Sequence, residues 1–485
     1  MDKSILDKYE LVVGLETHAQ LLTQSKAYST DSTEFGQLPN TNISIVTLAL
    51  PGTLPKGNKK VVEYAIKMGL ACHCEITRYN IYDRKNYFYP DLPKGFQLTQ
   101  DKTPICRGGY VRIKTKSGIE RNIKLTRIHM EEDAGKSLHL EGSDETLVDL
   151  NRAGVPLIEI VSEPDIRLPE EAYAYLTELR RLVRYLDICD GNMEEGSMRC
   201  DANVSVRLKG ETKLGKKVEV KNMNSIRNVQ RAIEHEFLRQ VQILENGGHI
   251  VSETRMFDAQ TGNTYSLRTK ENLNDYRYFP EPDLPPLIVS EEFLESIKAS
   301  MPPLPHELYE KFTKQYGLPD YDAGVLTDEK AIALYFEEIC QHTRNYKAAS
   351  NWMMGPVKSY LNELTMSIER FPLRPIKIVE LIELVDSNKI SFSIASERLF
   401  PKFVENPDKT ALQLAQSLNL LQESGDDFLL PLIEQAIAKF PEKAEAYRKG
   451  NKNLMGLFMG EVMRLSKGKA DPKKTTELIA KKLTS

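Results

Sequence analysis

Two ionisable side chains, Glu16 and His18, follow the apolar run LVVGL near the start of the chain. In an extended strand alternate side chains share one face, so this carboxylate and this imidazole project side by side. Taken alone, the two residues are explained most simply as a hydrogen-bonded structural pair near a sheet edge. Their chemistry becomes more specific when other carboxylates join them.

A further carboxylate, Glu159, interrupts the otherwise apolar segment VPLIEIVSEP, where it must be paired, protonated or bound to a cation. The segment RIHMEEDAGKSLH, residues 127–139, adds two imidazoles, three adjacent carboxylates and a lysine. Carboxylate oxygens from several strands, with one imidazole, suit Mg²⁺ or Mn²⁺, and such sites keep open positions for nucleotide phosphates. The segment is not a phosphate-binding P-loop, because that motif requires glycine where this chain has Met130.

The segment GSMRCDANVSVR alternates strictly, so that Arg199 and Asp201 fall on a polar face and Met198 and Cys200 on an apolar one. The polar row is long enough to line a cleft, and Glu219 and Lys221 share one side of the segment KKVEVKNMNS, which is expected to form a neighbouring strand. Two blocks, YDRKNYFYPDLPKGFQLTQ and NDYRYFPEPDLPPL, interleave basic and aromatic residues around prolines, a composition that can stack bases and contact phosphates.

The elements that must position these residues change in character along the chain. Up to about residue 290, short alternating segments predict a mixed, largely antiparallel sheet, with helices near 59–71, 168–187 and 225–246. A proline cluster near 290–305 marks a boundary, after which the periodicity is helical. A second break near 405–410 precedes a small helical bundle. The fold class is therefore predicted to be α+β.

Length and composition agree with several domains. A chain of 485 residues, 41% apolar and 28% charged, exceeds what one hydrophobic core usually organises. It has no apolar run of membrane-spanning length and no signal peptide at the N-terminus given, so we expect a cytoplasmic protein without a membrane association. Its six cysteines lack paired CxxC spacing, which favours buried thiols over disulfides or a metal site.

The C-terminal segment is basic although the whole chain has a net charge of -4. From Tyr447 onward there are ten basic and three acidic residues, a net charge of about +7. A site for a phosphate backbone and a solvated lysine surface explain this charge equally well when it is considered alone.

Together these segments resemble the B subunits of the heterotrimeric aspartyl/glutamyl-tRNA amidotransferases. The resemblance spans nearly the whole chain in the family's order. It is carried by VGLETHAQL, DRKNYFYPDLPKGFQLTQ, RIHMEEDAGKSLH, VDLNRAGVPLIEIVSEPDIR, MEEGSMRCDANVSVR, EVKNMNS, DYRYFPEPDLPPL, YDAGVLT, SNWMMGPVKSYLN and NLMGLFMGEVMRLSKGKADP.

The resemblance implies a cradle-like α+β catalytic domain at 1–295, a helical domain at 296–408 and a small helical tRNA-binding tail domain at 409–485. It also implies the reaction. ATP phosphorylates the side-chain carboxylate of glutamate on the tRNA for glutamine, or of aspartate on the tRNA for asparagine. Ammonia then displaces the phosphate to form the amide.

Residue roles follow from the same resemblance. It implies catalytic roles for Glu16, His18, Glu132 and Glu159, with Mg²⁺ held by His18, Glu132 and Glu159. Strand geometry and apolar context support Glu16, His18 and Glu159 independently, but they do not separate Glu132 from Glu131 or Asp133. The expected contacts to ATP or substrate are Lys85, Lys136, Arg199 and Asp201, and those to tRNA are Lys452, Arg464, Lys467, Lys469, Lys473 and Lys474.

The expected partners are an amidase A subunit, a small C subunit and misacylated tRNA. The sequence has no amidase signature and no glutaminase cysteine motif, so ammonia is expected to arrive from the A subunit through an internal channel. Two alternatives are a non-catalytic tRNA-binding scaffold and a ligase that resembles glutamine synthetase and acts on a free amino acid.

The chain departs from the family at one place. Many members carry CxC and CxxC motifs that can form a zinc site, whereas this chain has Ser29, Asp31, Ser44 and Thr47 at the corresponding positions. We therefore predict no structural zinc, and we expect side-chain hydrogen bonds to hold this loop.

Overall fold

The computed structural model describes residues 3–140, 142, 144–269, 276–422, 425–466 and 468–484. The chain forms two compact units, Met1–Leu304 and Pro305–Ser485. The first unit extends beyond the predicted boundary at 295, because Leu294 and Ile297 are buried in its hydrophobic core. The predicted division at 408/409 falls inside the second unit and stays a prediction.

The first unit is built on β-strands, most of them antiparallel. They are β1 (Tyr9–Gln20), β2 (Glu75–Ile76), β3 (Tyr79–Asn80), β4 (Asp83–Asn86), β5 (Phe96–Thr99), β6 (Cys106–Arg107), β7 (Tyr110–Lys114), β8 (Glu120–Glu132), β9 (Lys136–His139), β10 (Thr146–Asp149), β11 (Pro156–Ser162), β12 (Met198–Leu208), β13 (Val218–Lys221), β14 (Glu253–Phe257), β15 (Thr264–Thr269), β16 (Arg277–Pro280) and β17 (Leu287–Ile288).

The main sheet has the order β15-β14-β13-β12-β1-β11-β8-β6-β2, and β7 pairs with β8. Its described pairings are antiparallel except that of β13 with β14. β1 is central because its apolar run is buried on both faces. A separate three-stranded sheet has the order β16-β4-β5, and β9 and β10 form a two-stranded sheet. The α+β class and the largely antiparallel sheet are confirmed.

Helices cover one face of the main sheet. Val13 and Leu15 of β1 and Ala202 of β12 are fully buried in the core on that face. α4 packs against β12, and α3 packs against both α4 and β7. The three long helices predicted from the sequence are confirmed within two residues at each end. The helices of this unit are α1 (Lys3–Leu6), α2 (Lys59–Ala71), α3 (Pro169–Tyr185), α4 (Ile226–Glu245) and α5 (Glu291–Ala299).

Local signals in the sequence set the ends of these helices. The side chain of Asn58 accepts a hydrogen bond from the backbone N–H of Lys60 at the start of α2, and Ser225 caps α4 in the same manner. Pro169 begins α3, where its missing N–H would have had no helical partner.

The named elements of the second unit are all helices. The α-helices are α6 (Pro305–Glu310), α7 (Asp320–Leu326), α8 (Lys330–His342), α9 (Tyr346–Trp352), α10 (Lys358–Glu363), α11 (Pro375–Asp386), α12 (Phe392–Ile394), α13 (Phe400–Glu405), α14 (Ala411–Ser417), α15 (Asp426–Lys439), α16 (Pro441–Arg448), α17 (Met455–Leu465) and α18 (Pro472–Thr484). Three π-helical turns and two 3₁₀ turns join them, at Lys311–Gln315, Met353–Val357, Ala395–Leu399, Ile368–Arg370 and Lys452–Leu454.

The last four helices share a hydrophobic core of their own that includes Ile433, Phe458 and Ile479. The predicted helical tail is therefore present. No helix in the described part of the chain is both long and apolar enough to span a lipid bilayer. All six cysteines are free and buried, as their spacing predicted.

Candidate functional site

The face of the main sheet opposite the helices carries a row of ionisable side chains. Strand register places His18 of β1 opposite Glu159 of β11, and Glu159 opposite His129 of β8. Glu131 lies two residues beyond His129 and therefore on the same face. These four side chains come from three adjacent strands, and we call His18, Glu131, Glu159 and His129 the imidazole–carboxylate cluster.

The cluster brings its polar atoms close together. His18 Nε2 lies 3.5 Å from Glu159 Oε2 and 3.8 Å from Glu131 Oε2. His129 Nε2 lies 3.0 Å from Glu131 Oε1 and 3.2 Å from Glu159 Oε2. One ligand atom each from His18, Glu131 and Glu159 falls within 4.8 Å of the others, a spacing that a divalent cation could bridge. One imidazole and two carboxylates form a donor set suited to Mg²⁺ or Mn²⁺.

Charge pairing within the cluster outweighs the effect of burial on its ionisation. Burial alone would raise the pKa of Glu159 and of Glu131, but hydrogen bonds and charge from the imidazoles hold both pKa values below the ordinary range. Burial would lower the pKa of His129, yet the two carboxylates raise it to about 9, and the pKa of His18 also rises. The carboxylates thus favour the protonated form of both imidazoles.

The structure corrects the expected position of one carboxylate. Glu132 does not join His18 and Glu159, because it follows Ile128 and Met130 on the core face of β8, where both of those side chains are buried. Its carboxylate accepts hydrogen bonds from the Lys94 ammonium and from the backbone N–H of Leu98. Glu131 occupies the place that Glu132 was expected to fill.

Three more carboxylates lie on the same face of the sheet. Single oxygens of Glu16, Asp201 and Glu219 lie within 4.8 Å of one another. Lys221 pairs with Asp201 and lies 3.1 Å from Glu219. Burial and the charge of Glu159 raise the pKa of Glu16, whereas Asn203 opposes the increase by donating a hydrogen bond to Glu16. The pairing of Glu219 and Lys221 on one side of β13 is as the sequence predicted.

The expected nucleotide or substrate contacts fall in different places. The ammonium of Lys85, in β4, lies 4.7 Å from the ring centre of Tyr276. Burial would lower the pKa of Lys85, but the charges of Glu131 and Glu159 raise it. Arg199 donates a 2.8 Å hydrogen bond to Asp133 at the end of the same polar face. Lys136 is exposed at the start of β9, in the separate two-stranded sheet.

The sequence assigned no role to one member of the cluster and to one strand that contacts it. The first is His129, which the alternation of apolar Ile128 and Met130 would have placed on the polar face with Glu131. The second is β5, where Thr99 Oγ1 donates a 2.9 Å hydrogen bond to Glu131 and Gln97 Nε2 donates one of 3.2 Å. Nothing local in the sequence identified β5, because the contact depends on how two distant strands pack.

A cavity of about 280 Å³ lies near Glu132. Lys26, Lys94 and Arg84 line it together with the acidic Glu132 and Glu281. Lys26 is fully buried, and its ammonium donates hydrogen bonds to the backbone carbonyls of Asn42 and Leu150. Burial lowers the pKa of Lys26 to about 8, although nearby carboxylates oppose this effect.

The four residues at the expected zinc-motif positions also meet. Asp31 Oδ2 accepts hydrogen bonds from the hydroxyls of Ser29, Ser44 and Thr47 and from the backbone N–H of Ser44. We call these four residues the Asp31 knot. The prediction that side-chain hydrogen bonds hold this loop is confirmed, and the absence of zinc stays a prediction.

The expected tRNA contacts are dispersed over the last helices. Arg464 pairs with Glu461, and Lys474 lies 3.5 Å from Asp426. The Lys452 ammonium lies 4.2 Å from the ring centre of Tyr447. Among the others, Lys473 is exposed, Lys469 is half-buried, and Lys467 lies outside the described residues.

Comparison with known proteins gives a consistent family match. Residues 11–295 match the GatB/GatE catalytic domain, and residues 334–483 match the GatB domain. A relative from Thermodesulfovibrio yellowstonii is 50% identical over 98% of this chain and 99% of its own length. A relative from Chlorobium phaeobacteroides is 49% identical over 98% of this chain and 99% of its own length. A relative from Thermosynechococcus vestitus is 48% identical over 98% of this chain and 96% of its own length. All three are named as the B subunit of an aspartyl/glutamyl-tRNA(Asn/Gln) amidotransferase.

Proposed function

This chain belongs to the GatB/GatE family, and on that premise we propose that it is the amidotransferase subunit that activates and amidates misacylated tRNA. It would use ATP to phosphorylate the side-chain carboxylate of glutamate on tRNA(Gln), or of aspartate on tRNA(Asn). Ammonia would then attack the acyl phosphate and release inorganic phosphate. A carboxylate needs this activation because it is a poor electrophile at neutral pH.

One observation carries the proposal: single ligand atoms of His18, Glu131 and Glu159 lie within 4.8 Å of one another on the face of the main sheet opposite its helices. Phosphoryl transfer depends on positioning and on charge stabilisation rather than on covalent catalysis by the protein. The donor set fits Mg²⁺, and these three residues would hold it. When bound, Mg²⁺ would neutralise negative charge on the phosphate oxygens.

Other residues of the polar face would bind and orient the two substrates. The pKa of Lys85 rises beside Glu131 and Glu159, so its ammonium stays charged and would attract phosphate. Arg199 and Asp201 extend from β12 next to His18 and Glu16, where they would contact the nucleotide or the aminoacyl group. Lys136, on a separate hairpin, is the weakest of these candidates.

The proposal includes partner subunits that supply ammonia. The relatives are named as one subunit of an amidotransferase, which implies a complex with other subunits. We infer an amidase A subunit and a small C subunit as partners, with ammonia as the transferred species.

The basic tail would bind the tRNA body. Lys452 and Lys473 are exposed, whereas Arg464 and Lys474 would exchange their acidic partners for phosphates. Binding of this kind weakens as the salt concentration rises and depends little on base sequence.

The experiment that tests the proposal measures ATP hydrolysis by the complex with the A and C subunits. Misacylated glutamyl-tRNA, uncharged tRNA and free glutamate are compared as stimulants. We expect stimulation by misacylated tRNA alone, and loss of that stimulation in Glu159→Gln. A matched control is Glu163→Gln, since Glu163 follows β11 and bonds to Thr126, outside the cluster.

The other outcomes separate the alternatives. Equal stimulation by free glutamate would contradict the proposal and favour a ligase that acts on the free amino acid. Binding of tRNA without any ATP turnover would favour the scaffold. Loss of activity in Glu163→Gln as well as in Glu159→Gln would mean that the cluster has no special role.

A further inference from the structure

His129 is the most deeply buried imidazole of the cluster, with 2% of its surface exposed. Its Nε2 lies between Glu131 Oε1 at 3.0 Å and Glu159 Oε2 at 3.2 Å, so it must carry the hydrogen that both oxygens accept. Its Nδ1 is buried and makes no hydrogen bond to any residue that the structure describes. The ring therefore uses one nitrogen for both carboxylates.

His18 and His129 contact different oxygens of Glu131 but the same oxygen, Oε2, of Glu159. His18 Nε2 lies within 4.8 Å of one oxygen of each carboxylate, and 22% of its side chain is exposed. His129 is enclosed, and it meets Glu131 at Oε1, whereas His18 faces Oε2 of the same carboxylate. One side of the Glu131 carboxylate thus faces the point where a cation would bind, and the other side is held by His129.

Carboxylates that bind metals are usually oriented by a second hydrogen bond from a neighbouring group. Glu131 also accepts hydrogen bonds from Thr99 and Gln97, but the described side-chain contacts of Glu159 within the cluster are to His18 and His129. If His18 bound a cation, its Nε2 could no longer donate to Glu159. His129 would then be the donor that keeps Glu159 turned toward the same point as Glu131.

We propose that His129 is a positioning residue, which does not bind the divalent cation itself but holds Glu131 and Glu159 in the orientation that the cation requires. This inference rests on the metal site of the proposed function. Loss of the hydrogen-bond donor would let the two carboxylates repel each other and turn apart.

The test measures Mn²⁺ binding to the full-length chain by the electron paramagnetic resonance signal of free Mn²⁺. His129→Phe fills the same space without a donor, and His129→Gln places an amide N–H near the position of Nε2. We expect His129→Phe to weaken Mn²⁺ binding about 10- to 100-fold, and His129→Gln to stay within about threefold of the original chain. His139→Gln is the matched control, because His139 is exposed and bonds to Thr146 in a separate sheet.

Thermal unfolding without metal separates positioning from general stability. A purely structural role predicts that Mn²⁺ affinity falls in parallel with melting temperature in every variant, and that result would overturn the proposal. If His129→Phe does not fold, His129→Asn replaces it, since its shorter amide cannot reach both carboxylates. Equal Mn²⁺ affinity in the original chain and in His129→Phe, or in His129→Asn where that variant replaces it, would also overturn the proposal. Failure of the original chain to bind Mn²⁺ would instead refute the proposed metal site.

Discussion

The imidazole–carboxylate cluster and the Asp31 knot are two ways of stabilising negative charge in the same unit. In the cluster, two carboxylates are balanced by two imidazoles, His18 and His129. In the knot, one carboxylate oxygen accepts from three hydroxyls and one backbone N–H. An imidazole can give up its proton and accept a cation in its place, whereas a hydroxyl donor is fixed. The first arrangement is suited to binding, and the second to holding a loop.

The largest expected effect is on the cluster. Glu159→Gln removes one charged ligand and the shared partner of both imidazoles, so we expect Mn²⁺ affinity to fall at least about 100-fold. Calorimetric titration of the full-length chain measures this change. Unchanged affinity would show that the cluster does not bind a divalent cation.

The next effect concerns the knot. Asp31→Ala leaves three hydroxyls without their acceptor, so local opening of the loop should become easier by about 2 kcal/mol. Amide hydrogen exchange across residues 29–47 should then be about 30-fold faster. Asp144→Ala, at an exposed position, is the control. If the exchange rates of the two variants were equal, the knot would not stabilise the loop.

A smaller effect depends on pH. Partial burial would raise the pKa of Asp31, but hydrogen bonds from Thr47, Ser44 and Ser29 lower it below the ordinary 3.8. A lowered folded-state pKa means that the stabilisation is complete above the ordinary pKa and is lost as pH falls through the folded-state value. The difference in loop protection between the original chain and Asp31→Asn should therefore shrink below about pH 4, by less than about 1 kcal/mol because the group is partly exposed. A difference that grew at low pH would contradict this assignment.

The smallest effect separates two neighbouring residues. Glu132→Gln should change Mn²⁺ affinity by less than about threefold, because Glu132 pairs with Lys94 on the opposite face of β8. Glu131→Gln, measured beside it, should weaken binding much more. If Glu132→Gln caused the larger loss, Glu132 would be a ligand after a rearrangement of the strand.

The sequence predicted much of this arrangement, and its one ambiguity has a physical cause. Glu16, His18 and Glu159 could be placed because each lies in a segment whose alternation is unambiguous. In β8 the apolar face changes from Ile123 and Leu125 to Ile128 and Met130, and the pairing with β11 shifts between Val161 and Ser162. Alternation counted across this irregularity does not distinguish the three adjacent carboxylates. Alternation counted from Ile128 and Met130 alone groups Glu131 with His129, and the register of His129 with Glu159 then places both on the face of the cluster.

Contacts between distant segments were beyond prediction for a related reason. Thr99 and Gln97 reach Glu131 because β5 packs against β8, which no local pattern encodes. The basic tail could be predicted as charge and as helices. Its individual ion pairs, such as Arg464 with Glu461, depend on the side-chain packing of the folded bundle.

The central position of β1 has a consequence for synthesis on the ribosome. β1 is made first, at residues 9–20, but its two neighbours in the sheet are β11, at 156–162, and β12, at 198–208. At about 5 to 20 residues per second, translation leaves the apolar LVVGL strand without both partners for roughly ten to forty seconds. An unpaired apolar strand is an aggregation hazard, so we expect the nascent chain to need shielding until β12 has emerged.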